Sequence, residues 1–343
     1  MILRLFFSFF FIFIFITDSF AGQDELNGNI RLILNEKTGG FSLFYLAQAD
    51  KTSARYEPLF NSADPDLSYA SISVNGRVFR LGDRGFRAKY ERYNGNPSFI
   101  FTSQNITVRQ IFTPYKTPNS QNINCVMITF IIENTGNQDI AAGLRIILDT
   151  DLGDPRGRVP FITSSHIITR ETLTQGNAGE RFWISRGQNV SLMGSIINPV
   201  NPAAKAPDYI HFASFRRLNN SRWRLRYSPG RAFKNDSAVC YIYEPENLRQ
   251  GNSFTYSIFL SSEDISWYNS VNLRGIAVPR EAPTLNIEAI VLEAISEAEL
   301  NNENPSMSVL LKLQELINNF ISGGLYMNEQ DLMEIEKVLE RYR

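Results

Sequence analysis

Most of this chain consists of short apolar segments that alternate with period two, and this pattern constrains the fold more than any other feature. Between residues 27 and 263, eleven such segments are rich in β-branched and aromatic residues. Alternation of this kind turns one face of a strand toward a core and the other toward water. We therefore predict a mainly β protein with an antiparallel β-sandwich over residues 24–278. The segments are NIRLILNE, GFSLFYLA, ASISVNG, RVFRLG, SFIFTS, ITVRQIFT, NCVMITFIIEN, AAGLRIILDT, RWRLRYS, AVCYIYE and FTYSIFLSS.

Two glycine-containing turns indicate where consecutive strands pair. Asn75-Gly76 lies between ASISV and RVFRL, and this dipeptide favours a type I′ turn because both residues tolerate positive φ. Gly39-Gly40 separates the first two apolar segments in the same way. We predict a β-hairpin at each position.

After residue 283 the apolar period changes from 2 to 3.6, which is typical of helices. We predict an acidic segment of three helices over residues 284–343. This segment carries 11 Asp+Glu and 4 Lys+Arg, whereas residues 22–283 carry 23 Asp+Glu and 29 Lys+Arg. The acidic helices could pack on a basic face of the β domain or bind a basic partner, or both surfaces could simply be solvated.

The first 21 residues have the pattern of a secretory signal peptide. Arg4 supplies the positive charge, Leu5 to Ile16 is an apolar run of 12 residues broken only by Ser8, and Ala21 ends a small-residue cleavage site. A run this short does not span a bilayer, which needs about 20 apolar residues. We expect a periplasmic or secreted protein that does not span the membrane.

Cys125 and Cys240 are the two cysteines of the chain, and each lies in a predicted strand. In an oxidising compartment they could form a disulfide, if their strands are adjacent. Two separate buried thiols are the alternative, because free cysteine packs as a small hydrophobe.

Three aspartates, Asp149, Asp151 and Asp154, follow the strand segment AAGLRIILDT and lead into a turn-rich stretch. Carboxylates on a tight loop suit calcium, which takes 6–8 oxygen ligands, so this loop is a candidate metal site. The spacing is not that of an EF-hand, and aspartate is also common in turns, where it bonds nearby backbone N–H groups. A structural turn, an ion site and a catalytic loop all remain open.

The basic stretch FRRLNNSRWRLRYSPGRAFK, residues 215–234, is the main candidate binding site. If RWRLRY is a strand, Arg222, Arg224 and Arg226 share one face, while the other carries the apolar side chains. Arginines beside aromatics suit an anionic partner, through paired N–H bonds to carboxylate or phosphate. A solvated face or an edge strand guarded by charge is the alternative. The candidate residues are Arg216, Arg217, Arg222, Trp223, Arg224, Arg226 and Tyr227.

Residues typical of catalysis are scarce. His166 and His211 are the only histidines, and the chain has no HExxH, GxSxG or phosphate-binding loop motif. A histidine needs a partner carboxylate to act as a base. We expect His211, between aromatic residues, to pack in a strand, and His166, among hydroxyl residues, to lie exposed. No catalytic residue and no cofactor other than the possible calcium is predicted, so enzymatic activity is left undecided.

The order of strands and turns resembles the β-supersandwich of galactose-mutarotase-like proteins. NIRLILNEKTGGFSLFYL resembles its opening hairpin, ASISVNGRVFRLG its second hairpin, and NCVMITFIIENTGNQDIAAGLRIILDTDLGD its central strands. The resemblance covers residues 27–263 and implies a glycan-related or structural β domain. The histidine pair and glutamate base that the resemblance implies for mutarotase activity have no counterpart here, so a sugar isomerase is not expected.

Three functions are consistent with these features. The first is an exported, non-catalytic protein that binds an acidic glycan or a protein partner at the cell envelope, and not nucleic acid. The second is a structural component of an envelope or appendage assembly that docks through its C-terminal helices. The third is a carbohydrate-active enzyme.

Overall fold

The structure is a computed structural model that describes residues 22–49, 54–152 and 161–262, except 177, 188, 202, 234 and 235, and scattered positions between 291 and 338. No helix among these residues is long and apolar enough to cross a membrane. The predicted signal peptide and Asp154 lie outside the described residues.

Short strands make up nearly all of the regular structure in the described residues. Antiparallel pairing joins them into sheets. In chain order the strands are β1 Gly22–Asn27, β2 Ile30–Asn35, β3 Phe41–Ala49, β4 Ala54–Pro58, β5 Tyr69–Val74, β6 Arg77–Arg80, β7 Arg87–Tyr93, β8 Asn96–Thr102, β9 Ile106–Tyr115, β10 Cys125–Asn134, β11 Ile140–Asp149, β12 Phe161–Thr163, β13 Ile167–Ile168, β14 Thr172–Gln175, β15 Phe182–Arg186, β16 Ser191–Ser195, β17 Tyr209–Ser214, β18 Ser237–Leu248 and β19 Ser253–Ser261.

Three sheets enclose one main core. The first has 4 strands in the order β1-β2-β3-β4, the second has 9 in the order β13-β12-β15-β16-β19-β10-β9-β8-β7, and the third has 6 in the order β14-β17-β18-β11-β5-β6. Side chains from all three sheets meet in one buried cluster, including Leu32, Phe112, Phe130, Leu144 and Tyr241. The predicted antiparallel, mainly β architecture is confirmed.

Both predicted hairpins are present. Asn75 and Gly76 connect β5 to β6 with φ of 49° and 79°, as a type I′ turn requires. Gly39 lies between β2 and β3 with φ of 71°. Asn94 and the following glycine make a further turn of positive φ between β7 and β8, which the sequence analysis did not predict.

The two cysteines are separate buried thiols. Cys125 belongs to β10 of the nine-stranded sheet and packs with Ile162 and Phe182. Cys240 belongs to β18 of the six-stranded sheet and packs in a different cluster. Burial raises the pKa of both thiols, that of Cys240 to about 12. Of the two alternatives, the structure therefore favours free thiols over a disulfide.

The predicted three-helix segment falls mostly on residues that are not described. The positions described between 291 and 338 are helical, apart from residue 304, but no helix there has described bounds. The one helix with bounds in the described part of the chain is α1, Phe215–Leu218. The helix count at the C-terminus is therefore unsupported and stays a prediction.

A tryptophan packed on a glycine gives a test of the core. Trp183 is fully buried, and its indole N–H donates to the Tyr241 hydroxyl at 2.6 Å. A Cβ placed on Gly194 would lie 2.3 Å from a ring carbon of Trp183. Gly194→Ala should therefore lower the free energy of unfolding by about 1–3 kcal/mol, measured by urea denaturation, because the core is overpacked.

The matched control is Gly85→Ala, where the added Cβ would lie 3.2 Å from the ring of Phe79 at an exposed position. We expect only a small change there. Equal stability changes in the two variants would contradict the packing described for Trp183.

Candidate ligand-binding groove

Residues 215–231, here called the cap segment, cover the outer face of the six-stranded sheet. The segment begins with α1, and Leu218, Trp223 and Leu225 pack against apolar side chains of that face. The prediction of a strand at RWRLRYS is wrong, because residues 221–228 are bends and loop. Its backbone carbonyls are bound by an arginine side chain, not by a neighbouring strand.

The predicted alternation of side chains is nevertheless found in the cap segment. Arg222, Arg224 and Arg226 are exposed, whereas Trp223 and Leu225 are partly buried against the sheet. The alternation of polar and apolar residues therefore predicted correctly which side chains are exposed, although the predicted secondary structure was wrong. Apolar contact of Trp223 and Leu225 with the sheet orients these side chains, and hydrogen bonding to a neighbouring strand does not.

Arg145 holds the middle of the cap segment. It lies in β11, is 1% exposed, and projects from the outer face of the sheet. One terminal nitrogen donates to the carbonyls of Arg222 and Trp223 at 2.6 and 3.4 Å, and the other donates to the carbonyl of Asn220 at 2.5 Å. Its guanidinium carbon lies 5.9 Å from the Trp223 ring centre.

Glu171 holds both ends of the same segment. Its carboxylate, 2% exposed, lies 2.9 and 3.0 Å from two nitrogens of Arg217 and accepts the Ser228 backbone N–H at 3.0 Å. It also contacts His211 Nε2 at 3.1 Å. Arg217 is thus committed to a buried ion pair and is not free to bind a ligand.

His211 lies in β17 and is 1% exposed, as the sequence analysis expected. Burial lowers the pKa of its imidazole, and the neighbouring Glu171 opposes that shift only partly. Tyr227 packs edge-on against the imidazole at 5.8 Å between ring centres, while remaining 40% exposed. Through its contacts with Glu171 and Tyr227, His211 helps to hold the cap segment on the sheet.

A groove of about 580 Å³ opens where the cap segment meets the sheet. The Trp223 indole N–H donates to the Glu244 carboxylate at 2.9 Å and fixes the ring at the groove wall. Aromatic, acidic, basic and hydroxyl groups therefore share one concave surface. The lining residues are Ser73, Gly76, Tyr209, Trp223, Arg224, Glu244 and Pro245.

The structure brings together only part of the predicted site. Trp223 and Arg224 line the groove, while Arg222 and Arg226 are exposed nearby on the cap segment. Arg216 is exposed as well, and its backbone N–H donates to the Asp236 carboxylate at 3.0 Å. Ser73, Tyr209 and Glu244 were not predicted from the sequence, because they come from three different strands and share no local motif.

The surface around the groove is strongly basic. Residues 215–235 contain 7 Lys+Arg and no Asp or Glu. Within the described part of the chain, no ion pair links Arg222, Arg224 or Arg226 to a carboxylate. Three exposed guanidinium groups thus keep their N–H donors available beside the groove.

The predicted acidic loop is more buried than a surface turn. Asp149 ends β11, is 2% exposed, and accepts a hydrogen bond from the Asn61 amide at 3.3 Å, while its Oδ1 has no partner among the described residues. Asp151 is half-buried. In the described ranges no group of three His, Cys, Asp or Glu side chains is placed to hold a metal. A calcium site that includes Asp154 stays a prediction.

Burial raises the pKa of Asp149 to about 6, because removal of its carboxylate from water outweighs the hydrogen bonds from the Asn61 amide and the Asp151 backbone. Repulsion from Asp236 and Asp151 adds to this shift. Burial, with a smaller contribution from Asp151, also raises the pKa of Asp236.

The exposed His166 has a buried carboxylate partner. Its Nδ1 lies 2.7 Å from Glu180, which also accepts the Ser164 and Ser165 hydroxyls at 2.6 Å each. Burial alone raises the pKa of Glu180, but these hydrogen bonds outweigh it and lower the pKa. Ser165 contacts the same imidazole nitrogen as Glu180, at 2.9 Å, so the three groups do not form a serine–histidine–acid relay.

Comparison with known proteins finds similarity in structure only. No protein-family model and no curated protein matches the chain. A galactose mutarotase related enzyme from Lactobacillus acidophilus is 9% identical over 71% of this chain and 97% of its own, with a TM-score of 0.40.

Two further structures give similar values. A galactose mutarotase-like protein from Lactobacillus casei is 9% identical over 71% of this chain and 100% of its own, with a TM-score of 0.41. An aldose epimerase homologue from C. elegans is 9% identical over 71% and 99%, with a TM-score of 0.43. The resemblance predicted from the strand order is thus found, but it is weak, and no residue role is taken from it.

The raised pKa of Asp149 predicts how stability depends on pH. An unfolded aspartate has a pKa near 3.9, so the folded state binds the extra proton between about pH 4 and 6. This carboxyl therefore contributes most to stability below pH 4, and that contribution is lost as pH rises to 6. Asp149→Asn should be more stable than the parent at pH 7 by about 3 kcal/mol and nearly equal to it near pH 4.

The measurement is urea denaturation at both pH values, once with a chelator and once with added calcium. Asp139→Asn is the control, because Asp139 lies exposed at the opposite end of β11. If calcium stabilises the parent but not the Asp149 variant, the acidic loop is an ion site and the structural interpretation is wrong.

Proposed function

We propose that this protein is an exported, non-catalytic binding protein that holds an acidic glycan at the groove beside the cap segment. The observation that carries the proposal is an exposed, unpaired arginine, Arg224, in the lining of a concave surface with two aromatic rings. Arg222 and Arg226 are also exposed, two residues before and after it on the cap segment. Arginine pairs well with carboxylate and sulfate oxygens, and anchoring by buried contacts keeps these arginines in place.

The shape of the groove favours a chain of sugars over a folded protein partner. Its volume of about 580 Å³ lies within the usual range for small-ligand sites, about 300–1,000 Å³. Tyr209 and Trp223 offer apolar ring surface, while Ser73 and Glu244 offer polar groups for hydroxyls. A protein partner would instead need a patch burying about 800 Å² on each side.

Export is proposed from the N-terminal sequence, and it narrows the candidate ligands. Outside the cytoplasm, acidic polysaccharides of the cell envelope are available, whereas nucleic acid is not an expected partner. Docking of the acidic C-terminal segment in an envelope assembly is the second proposal. It concerns residues mostly outside those described, and a pull-down with residues 284–343 tests it separately.

The test replaces the three exposed arginines together. Arg222→Gln, Arg224→Gln and Arg226→Gln in one variant should reduce binding of a uronic-acid oligosaccharide at least tenfold, measured by calorimetry. The parent's binding should weaken as salt is raised, because exposed charge pairs are screened. The fold should be unaffected, since exposed arginines contribute little to stability.

The control variant changes three exposed basic residues far from the cap segment in the sequence to glutamine: Arg84, Arg87 and Lys89. It has the same net charge as the test variant, so an effect of total charge alone would reduce binding in both. A Trp223→Ala variant adds a test of the groove itself. Undiminished binding in the triple cap variant would refute the proposed site.

A further inference from the structure

We infer that the buried Arg145 determines the charge selectivity of the groove, so that it prefers glycans bearing negative charge over neutral ones. The inference rests on the proposed function, because it concerns the same groove. It assigns a role to a residue that the ligand never touches.

The first observation is that Arg145 has no negative partner. It is 1% exposed, and in the described parts of the chain no carboxylate forms an ion pair with it. Three backbone carbonyls hold its terminal nitrogens, while its Nε has no hydrogen-bond partner among the described residues. Carbonyl dipoles stabilise the guanidinium but leave its full positive charge in place.

The second observation is the position of this charge below the groove. On β11, Gly143 pairs with Ser73, which lines the groove, and Arg145 pairs with Ser71 on the same face. Two residues along a strand span about 6–7 Å, so the side chain of Arg145 leaves β11 about that far from the position paired with Ser73. Trp223 lies over it and forms part of the groove wall.

The cap segment strengthens the interaction between the charge of Arg145 and a charged ligand in the groove. It excludes water from Arg145, and the interaction between charges is stronger where less water screens them. Glu244 is the one carboxylate among the described residues that line the groove, and Arg224 is the one cation. These two charges offset each other, so the lining itself has no net charge and Arg145 adds one positive charge below it.

The same geometry restricts how Arg145 can select a ligand. Its terminal nitrogens are committed to the carbonyls of Asn220, Arg222 and Trp223, so it cannot form paired hydrogen bonds with a bound carboxylate. Selection by Arg145 acts through charge alone. It should favour carboxylated and sulfated sugars to a similar degree and disfavour the neutral sugar.

The test compares two substitutions at Arg145. Arg145→Lys keeps the charge but has fewer N–H donors, whereas Arg145→Met keeps a long apolar side chain and removes the charge. Three oligosaccharides of equal length are the probes: a uronic-acid chain, its carboxyl-reduced neutral form and a sulfated chain. Calorimetry in the full-length protein gives the affinity of each, and tryptophan fluorescence reports the cap segment.

We expect the parent to prefer both acidic chains over the neutral one. Arg145→Met should weaken binding of all three chains, because the cap segment loses its hydrogen bonds to Arg145. It should also reduce the preference for the acidic chains about tenfold, in line with the loss of one charge acting over several ångströms. Arg145→Lys should keep the preference while weakening binding of all three chains. If Arg145 only positions the cap segment, Lys should lose the preference as well.

The outcomes separate the inference from the proposed function. If the parent binds none of the acidic chains, the proposed function fails. If the parent binds them and Arg145→Met keeps the full preference, the inference is wrong and the function stands. Should the Met variant not fold, the Lys variant decides, because loss of preference in a folded Lys variant overturns the inference.

Discussion

The groove of this protein depends on one buried guanidinium group. Arg145 projects from a central strand and binds three backbone carbonyls of the cap segment, at Asn220, Arg222 and Trp223. Those carbonyls have no strand neighbour, and a hydrogen bond from a charged donor such as Arg145 contributes about 1.5–3 kcal/mol. The arginine therefore fixes an irregular segment against a regular sheet.

A buried ion pair between Glu171 and Arg217 fixes the ends of the segment. Glu171 contacts Arg217 near the start and Ser228 near the end. With both ends and the middle held, the backbone that carries Arg222, Arg224 and Arg226 is fixed. Pre-ordering of this kind raises affinity, because less conformational entropy is lost on binding.

Two buried carboxyl groups show how donors, and not burial alone, decide ionisation. The hydrogen bonds to Asp149 come from the Asn61 amide and the Asp151 backbone; they do not offset its burial, and its pKa is raised to about 6. Glu180 is also buried, yet Ser164, Ser165 and His166 all contact it and its pKa is lowered. Each hydrogen bond to the charged form offsets part of the desolvation cost.

The sequence by itself determined the sheet architecture, the hairpin turns and the exposure of Arg222, Arg224 and Arg226, because period-two alternation and Asn-Gly turns act over a few residues. It could not show that RWRLRYS lies outside the sheet, since that depends on Arg145, more than 70 positions earlier. Nor could it bring together Ser73, Tyr209 and Glu244, or pair His166 with Glu180. Only tertiary structure decides these contacts, because they join distant residues through strand order, which no local pattern encodes.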